Sequence, residues 1–266
     1  MNDTEVYIYS ADRIGNIGDL SGLKVGFADF SMAVKLQSLI LGSNVDGYEN
    51  TRLETVNVGN NELLTLINVE NCTSLSGCTG LETVKAKGSA VTGLSLPNGG
   101  HLKTLELPAT ITNFTVQNQQ QLESVTFEGY GALTTLRVEN STNIPIEAIF
   151  DNAINLNRVR LMNVEWTASS SDELAKTINK LKTCIGMDAN GNNTKTAIVN
   201  GRVRVPAVDD ALLADIGTNF PDLIVVVGDV AYYIVRYINA DGTLLYTTHM
   251  TEGSEPIDPV AKGLIS

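Results

Sequence analysis

The sequence predicts a β-rich fold: a solenoid with short parallel strands on two faces, a helix-containing α+β cap, and a terminal β-hairpin. Three observations carry that prediction. An apolar triplet of fixed internal spacing recurs through the first two thirds of the chain, a helical apolar period appears only after it, and the final stretch alternates about one Asp-Gly turn.

The triplet is an apolar residue, another three later and another five later, often with Asn, Gly or Ser seven later. It reads Leu36-Leu39-Leu41 with Ser43, Leu53-Val56-Val58 with Asn60, Leu64-Ile67-Val69 with Asn71, and Leu81-Val84-Ala86 with Gly88. It continues as Val91-Leu94-Leu96 with Asn98, Leu102-Leu105-Leu107, Ile111-Phe114-Val116 with Asn118, and Leu122-Val125-Phe127 with Gly129. Leu133-Leu136-Val138 with Asn140 and Leu156-Val159-Leu161 with Asn163 complete it. The last two apolar positions are two apart, so they point the same way from a short strand. The Asn, Gly or Ser then turns the chain. One such layer cannot bury its apolar edge alone, whereas stacked layers form a continuous core.

From Leu81 the units begin about ten residues apart, too short for a strand plus a helix. A full coil is therefore about 20 residues, with one strand on each of two faces. The longer steps before Leu53, Leu81 and Leu156 mark insertions, and the last, across residues 144–154, reads as a short helix. Three segments follow: a leucine-rich-repeat solenoid over 1–165, a capping helix-strand-helix-strand segment over 166–228, and a hairpin over 229–266.

In the cap, SDELAKTINKLKTC (171–184) reads as an amphipathic helix capped by Ser170 or Ser171, with Leu174, Ile178 and Leu181 on one face. A polar loop, DANGNNT, follows, then strand GRVRVP, a helix near 207–217 and strand DLIVVV. The chain closes with YYIVRYINADGTLLYTTHM, whose turn is Asp241-Gly242. Trp166, the single tryptophan, is expected to pack beneath the cap.

Composition excludes several classes. Hydrophobic residues are 43% of the chain and charged residues 18%, which fits a packed core and not disorder. With 18 basic against 30 acidic residues the net charge is −12, and no basic stripe exists for nucleic acid or an anionic membrane. No apolar run is long enough for a transmembrane helix, and MNDTEVYIYSADR is not a signal peptide.

Catalytic and cofactor signatures are missing as well. Cys72, Cys78 and Cys184 are odd in number, scattered and far from any histidine, so neither a disulfide framework nor a zinc site is read. Asp188, Asn190 and Asn192 alternate like the start of a calcium loop, but the sixth and twelfth positions hold Asn193 and Val199 instead of Gly and Glu. His101 and His249 lie in different modules with no evident nucleophile beside either. Glu54, Glu82 and Glu123 share one repeat position, yet a glycosidase needs a cleft as well as two carboxylates. The expectation is a non-enzymatic chain with no cofactor.

The stretch LKTLELPATITNFTVQNQQQLESVTF resembles BspA-like leucine-rich repeats. LETVKAKGSAVTGLSLPNGGHLKTLELPATIT and LNRVRLMNVEW look more specifically like the repeat domain of tail-associated proteins of phages of gut bacteria, a likeness covering about residues 5 to 228. YYIVRYINADGTLLYTTHMTEGSEPIDP is similar to the first strands of an internalin-type β-grasp repeat, which normally runs about twice as far. The resemblance implies a fragment of a longer protein with neighbouring domains. It implies a structural or binding module of a virion tail or cell surface that recognises protein or glycan on a bacterial surface. A bacterial surface adhesin is the second reading, and a glycan-active enzyme the third.

Outward positions of the first sheet follow from the pattern. The second residues of the units are Gln37, Glu54, Glu82, Lys103 and Glu123; the third are Ser38, Thr55, Thr83, Thr104 and Ser124, a hydroxyl ladder. The fifth are Ile40, Asn57, Lys85, Glu106 and Thr126. Thr55, Thr83, Thr104, Ser124, Glu82 and Lys103 are the candidate contact residues, although cross-strand hydroxyl and charge pairs also stabilise sheets on their own account. Arg158 and Arg160, with Arg137, form a basic patch on an acidic protein, suited to an acidic partner or to local charge balance.

Overall fold

A computed structural model of the chain describes residues 27–40, 55–58, 63, 66–68, 83–87, 92–96, 99, 102–255 and 260. These residues are rich in β-strand, with parallel sheets and three helices among them. They divide into two compact units, Met1–Thr135 with Ser141–Ile144, and Leu136–Asn140 with Pro145–Ser266.

In the first unit, β1 (Phe27–Asp29), β3 (Thr55–Asn57), β5 (Thr83–Lys85), β7 (Thr104–Leu107) and β9 (Ser124–Phe127) form a five-stranded parallel sheet in that order. The intervening strands β2 (Ser38–Ile40), β4 (Leu66–Asn68), β6 (Gly93–Ser95) and β8 (Asn113–Gln117) pair in parallel with one another instead. Successive strands thus alternate between the two sheets, and each pairs with the strand two along in sequence. The apolar triplets explain this arrangement. Leu36, Leu39, Val58, Val84, Ala86, Leu102, Leu105, Leu107, Ile111, Phe114, Val116, Leu122 and Leu133 are all buried. Each carries the apolar area that makes layer-on-layer contact favourable.

Two kinds of turn connect the strands. After a strand of the five-stranded sheet the chain closes a tight turn, as in Ile111 N–H to Pro108 O and Leu133 N–H to Tyr130 O. The other turn, where the triplet is followed by Asn, is left-handed at the asparagine itself: Asn118 and Asn140 have φ of 56° and 47°, while Asn163, with φ 52°, lies inside the strand Arg158–Thr167 at the register shift between Leu161 and Val164. Asparagine tolerates this region better than other non-glycine residues. A threonine column supports the layers: the Thr112 and Thr134 hydroxyls donate to Thr92 O (2.9 Å) and Thr112 O (3.0 Å), beside the matching backbone bonds.

The second unit contains β10 (Thr135–Glu139) from Leu136 on, α1 (Ile146–Asn152), β11 (Arg158–Thr167), α2 (Ser171–Thr183), β12 (Gly186–Met187), β13 (Asn193–Thr194), β14 (Ile198–Val205), α3 (Asp210–Asn219), β15 (Leu223–Val227), β16 (Val230–Ile238) and β17 (Leu244–Thr251). Its main sheet runs β10-β11-β14-β15-β16-β17, parallel from β11 to β15 and antiparallel from there. Helix α1 occupies the chain position where strict alternation would put another strand, which accounts for the long step before Leu156. Ser170 caps α2 by accepting from Glu173 N–H at 3.2 Å, and Leu174, Ile178 and Leu181 are buried, as the helical period predicts. Asp209 caps α3 through Leu212 N–H at 2.7 Å. Trp166 lies within β11 and is buried.

Some expectations shift. The hairpin turn has three residues between Asn239 and Thr243, which exchange a bond at 2.8 Å, with Gly242 at φ 85°. The polar loop DANGNNT is the tip of a short antiparallel hairpin, β12–β13. Ser38 and Ile40 were expected in the first sheet, but β2 pairs with β4, and Phe27 and Asp29 take the register positions beside Thr55 and Asn57. Strict alternation of the triplets already puts the Leu36 unit beside the Leu64 unit; β1, which carries no visible triplet, is the strand the sequence does not mark.

Candidate functional site

The outward face of the five-stranded sheet carries two rows of side chains. Between buried Val84, Leu105 and Val125 and the turns, the pleat points Thr83, Thr104 and Ser124 away from the core, and all three are half-buried. The pairing places them in one line, Thr55 opposite Thr83, Thr83 opposite Thr104, and Thr104 opposite Ser124. The second line is Asp29, Asn57, Lys85, Glu106 and Thr126.

The second line is largely self-satisfied. Asn57 donates to Asp29 Oδ2 at 3.2 Å, and Lys85 lies 3.9 Å from Glu106. Both partners of that ion pair are well exposed, so it adds little stability. Burial raises the Asp29 carboxyl, but bonds from Ser31 and Asn57 outweigh it and hold the group below its ordinary value. The hydroxyl line differs from the threonine column of the other sheet: the Thr112 and Thr134 hydroxyls are bound to backbone carbonyls. Thr83, Thr104 and Ser124 are half-buried on the outward face of the sheet. Lys103 is half-exposed, and its carbonyl accepts from Glu123 and Ser124 N–H. Glu82 lies outside the described residues, as do Cys72, Cys78 and His101.

The basic patch of the second unit is built differently. The Arg137 and Arg160 Nε atoms both donate to Glu139 Oε1, at 2.9 and 2.6 Å. Each of three guanidiniums then reaches a carbonyl of the β12–β13 hairpin: Arg160 to Met187 at 3.0 Å, Arg137 to Ala189 at 2.9 Å, Arg158 to Gly191 at 3.0 Å. The Arg137, Arg160 and Glu139 side chains retain only 17%, 11% and 15% of their exposure, so this patch is covered by the hairpin. No sequence signal announced that contact, because it joins residues 27 to 52 positions apart.

Asp188 shapes the hairpin tip. Its Oδ1 accepts from Asn190 and Asn192 N–H at 2.9 and 2.8 Å, and its Oδ2 from the Asn192 amide at 2.9 Å. Those bonds, the Asn192 side chain first, together with the nearby charge of Arg160, hold the carboxyl below its ordinary value. Both oxygens therefore cap the turn, and among the described residues no group of acids, histidines and cysteines is arranged to hold a metal ion.

Asp151 and Glu173 form a carboxyl pair beside Lys176. Asp151 is raised by desolvation and by Glu173, while Glu173 is lowered, chiefly by Lys176. Cys184 is a free, buried thiol pushed up by burial. His249 Nε2 lies 2.5 Å from Leu213 O and packs against Gly217 of α3. Among the described residues no helix is long and apolar enough to cross a membrane. No protein-family model matches the chain, and neither a curated protein nor a solved structure matches it.

Proposed function

We propose that the chain is a non-enzymatic display module: a leucine-rich-repeat solenoid that holds the outward face of its five-stranded sheet rigid for recognition of a glycan or protein on a bacterial surface. The pairing of each strand with the strand two along supports the solenoid reading, since each pair of alternating strands then makes one coil. The observation that carries the function is the in-register line Thr83, Thr104 and Ser124, whose hydroxyl-bearing positions stand at the strand spacing of about 4.8 Å, with Thr55 continuing the backbone register. A row of hydroxyls on a fixed support loses little freedom when a ligand engages it.

The setting we favour is a phage tail or cell-surface protein, on the strength of the sequence resemblance, with adjoining domains in the same longer chain. The experiment is a glycan-array and whole-cell screen with the purified chain. Saturable binding that is lost in a Thr83→Val, Thr104→Val, Ser124→Ala variant supports the reading. Absence of binding by the folded protein makes the module a spacer.

A further inference from the structure

We propose that Arg137, Arg158 and Arg160 form a masked oxyanion site, covered in this structure by the tip of the β12–β13 hairpin. Three cations converge there from two adjacent strands, β10 and β11, and Glu139 accepts from two of them, Arg137 and Arg160. Asp188, whose carboxyl feels the charge of Arg160, uses both oxygens in its own turn. What fills the remaining guanidinium positions is neutral backbone: the carbonyls of Met187, Ala189 and Gly191, three alternate residues of one short hairpin.

Guanidinium groups bind carboxylate, sulfate and phosphate in a two-pronged manner that a lone carbonyl cannot supply. Arg158 records that shortfall directly, because its Nε is buried and has no partner. A group so placed costs free energy until an acceptor reaches it. The carbonyl trio therefore stands in for an oxyanion, and a sulfate, phosphate or carboxylate group competes with it for the same donors.

The hairpin is suited to yield at its tip and not at its base. Met187 is buried, and a Cβ at Gly186 would lie 2.1 Å from Thr196 O, so the base is locked by close backbone approach. Ala189, Asn190 and Asn192 are exposed, and the tip is held by the Asp188 turn and by Arg137 and Arg158. Opening the tip frees those two guanidiniums while the Arg160–Met187 bond stays. The closed state lowers apparent affinity by the fraction of molecules that are open.

The test uses the full chain and Asp188→Ala, which removes the turn cap, with Asp188→Asn as the control that removes the charge and keeps an accepting oxygen. Inorganic sulfate, inorganic phosphate and glucose 6-sulfate are titrated by calorimetry, and amide exchange of 189–192 is followed in parallel. The expected result is that Asp188→Ala binds sulfate at least about tenfold tighter than the unaltered chain, and that Arg158→Gln in that background abolishes binding. In the unaltered chain saturating sulfate accelerates exchange at the tip. Tighter binding of the ester than of the free ion assigns the site to a substituted polymer, and the reverse to the ion. Equal affinity with and without Asp188, sulfate binding that survives Arg158→Gln, or tip exchange indifferent to sulfate overturns the proposal. None of these outcomes depends on the hydroxyl face of the first unit.

Discussion

The left-handed asparagine after an apolar triplet is the feature whose energetics can be worked most fully, and Asn163, which turns the backbone at the register shift within β11, is its best instance. It sits at φ 52° and donates its side-chain amide to Asn140 Oδ1 at 2.7 Å. Replacing it with glycine keeps the backbone geometry but loses that bond, about 0.5–1.5 kcal/mol. Glycine's larger unfolded-state freedom costs roughly 0.4–1 kcal/mol more. Alanine loses the same bond and must also hold a left-handed backbone, at about 1–2 kcal/mol. Stability should therefore fall in the order asparagine, glycine, alanine, with alanine about 0.5–1 kcal/mol below glycine. Urea unfolding followed by Trp166 fluorescence reads this directly, since Trp166 lies on the same strand and is buried. If glycine proves as damaging as alanine or worse, the turn is not held by its backbone conformation, and the account of these asparagines fails.

Three other predictions follow from the same geometry. Gly201→Ala places a Cβ 2.1 Å from Val164 O at φ 146° and should cost roughly 3 kcal/mol or more by displacing a bulged strand pair, measured as a shift in urea midpoint. Leu105→Ala removes a fully buried side chain and should cost about 2–5 kcal/mol, whereas its outward neighbour Thr104→Val should change stability by no more than about 0.5 kcal/mol; equal costs would contradict the inward–outward assignment. Asp188 is depressed in the folded state, so its contribution is complete above the ordinary carboxylate range and is lost as pH falls through its folded value. Protection of the Asn190 and Asn192 amides should thus hold at neutral pH and weaken only in acid, and weakening as pH rises would refute the turn assignment.

All three helices and most of the strands were legible, most of them because each carries its own period. Leu102-Leu105-Leu107 and Ile111-Phe114-Val116 mark buried positions without reference to anything distant, and Leu174, Ile178 and Leu181 do the same for α2. Phe127 and Leu96 obey the triplet but are only half-buried, so the pattern identifies the inward direction and not the depth of cover. The strand β1 was not legible, because its three residues FAD carry no triplet, whereas the sheet of Ser38 and Ile40 follows from strict alternation of the triplets and was misassigned. The turn asparagines were visible as turn formers, but their left-handed backbone was not. The arginine contacts were the least accessible: Arg137, Arg158 and Arg160 read as a surface patch until the hairpin carbonyls are placed beside them. Contacts between charged side chains and distant backbone leave no periodic trace.

The central claim is that the hydroxyl line of the five-stranded sheet is the surface this module presents. It is tested most directly by equilibrium binding of the unaltered chain, the Thr83→Val, Thr104→Val, Ser124→Ala variant, and a Thr115→Val control to the bacterial surface or glycan that the screen selects. Thr115 lies on the outward face of the other sheet, where its hydroxyl is bonded to Asn113 at 3.1 Å. The account predicts that all three proteins unfold at similar urea concentrations while only the triple variant loses binding, by at least about tenfold. Retention of full affinity by the triple variant, or an equal loss in the Thr115 control, would contradict it.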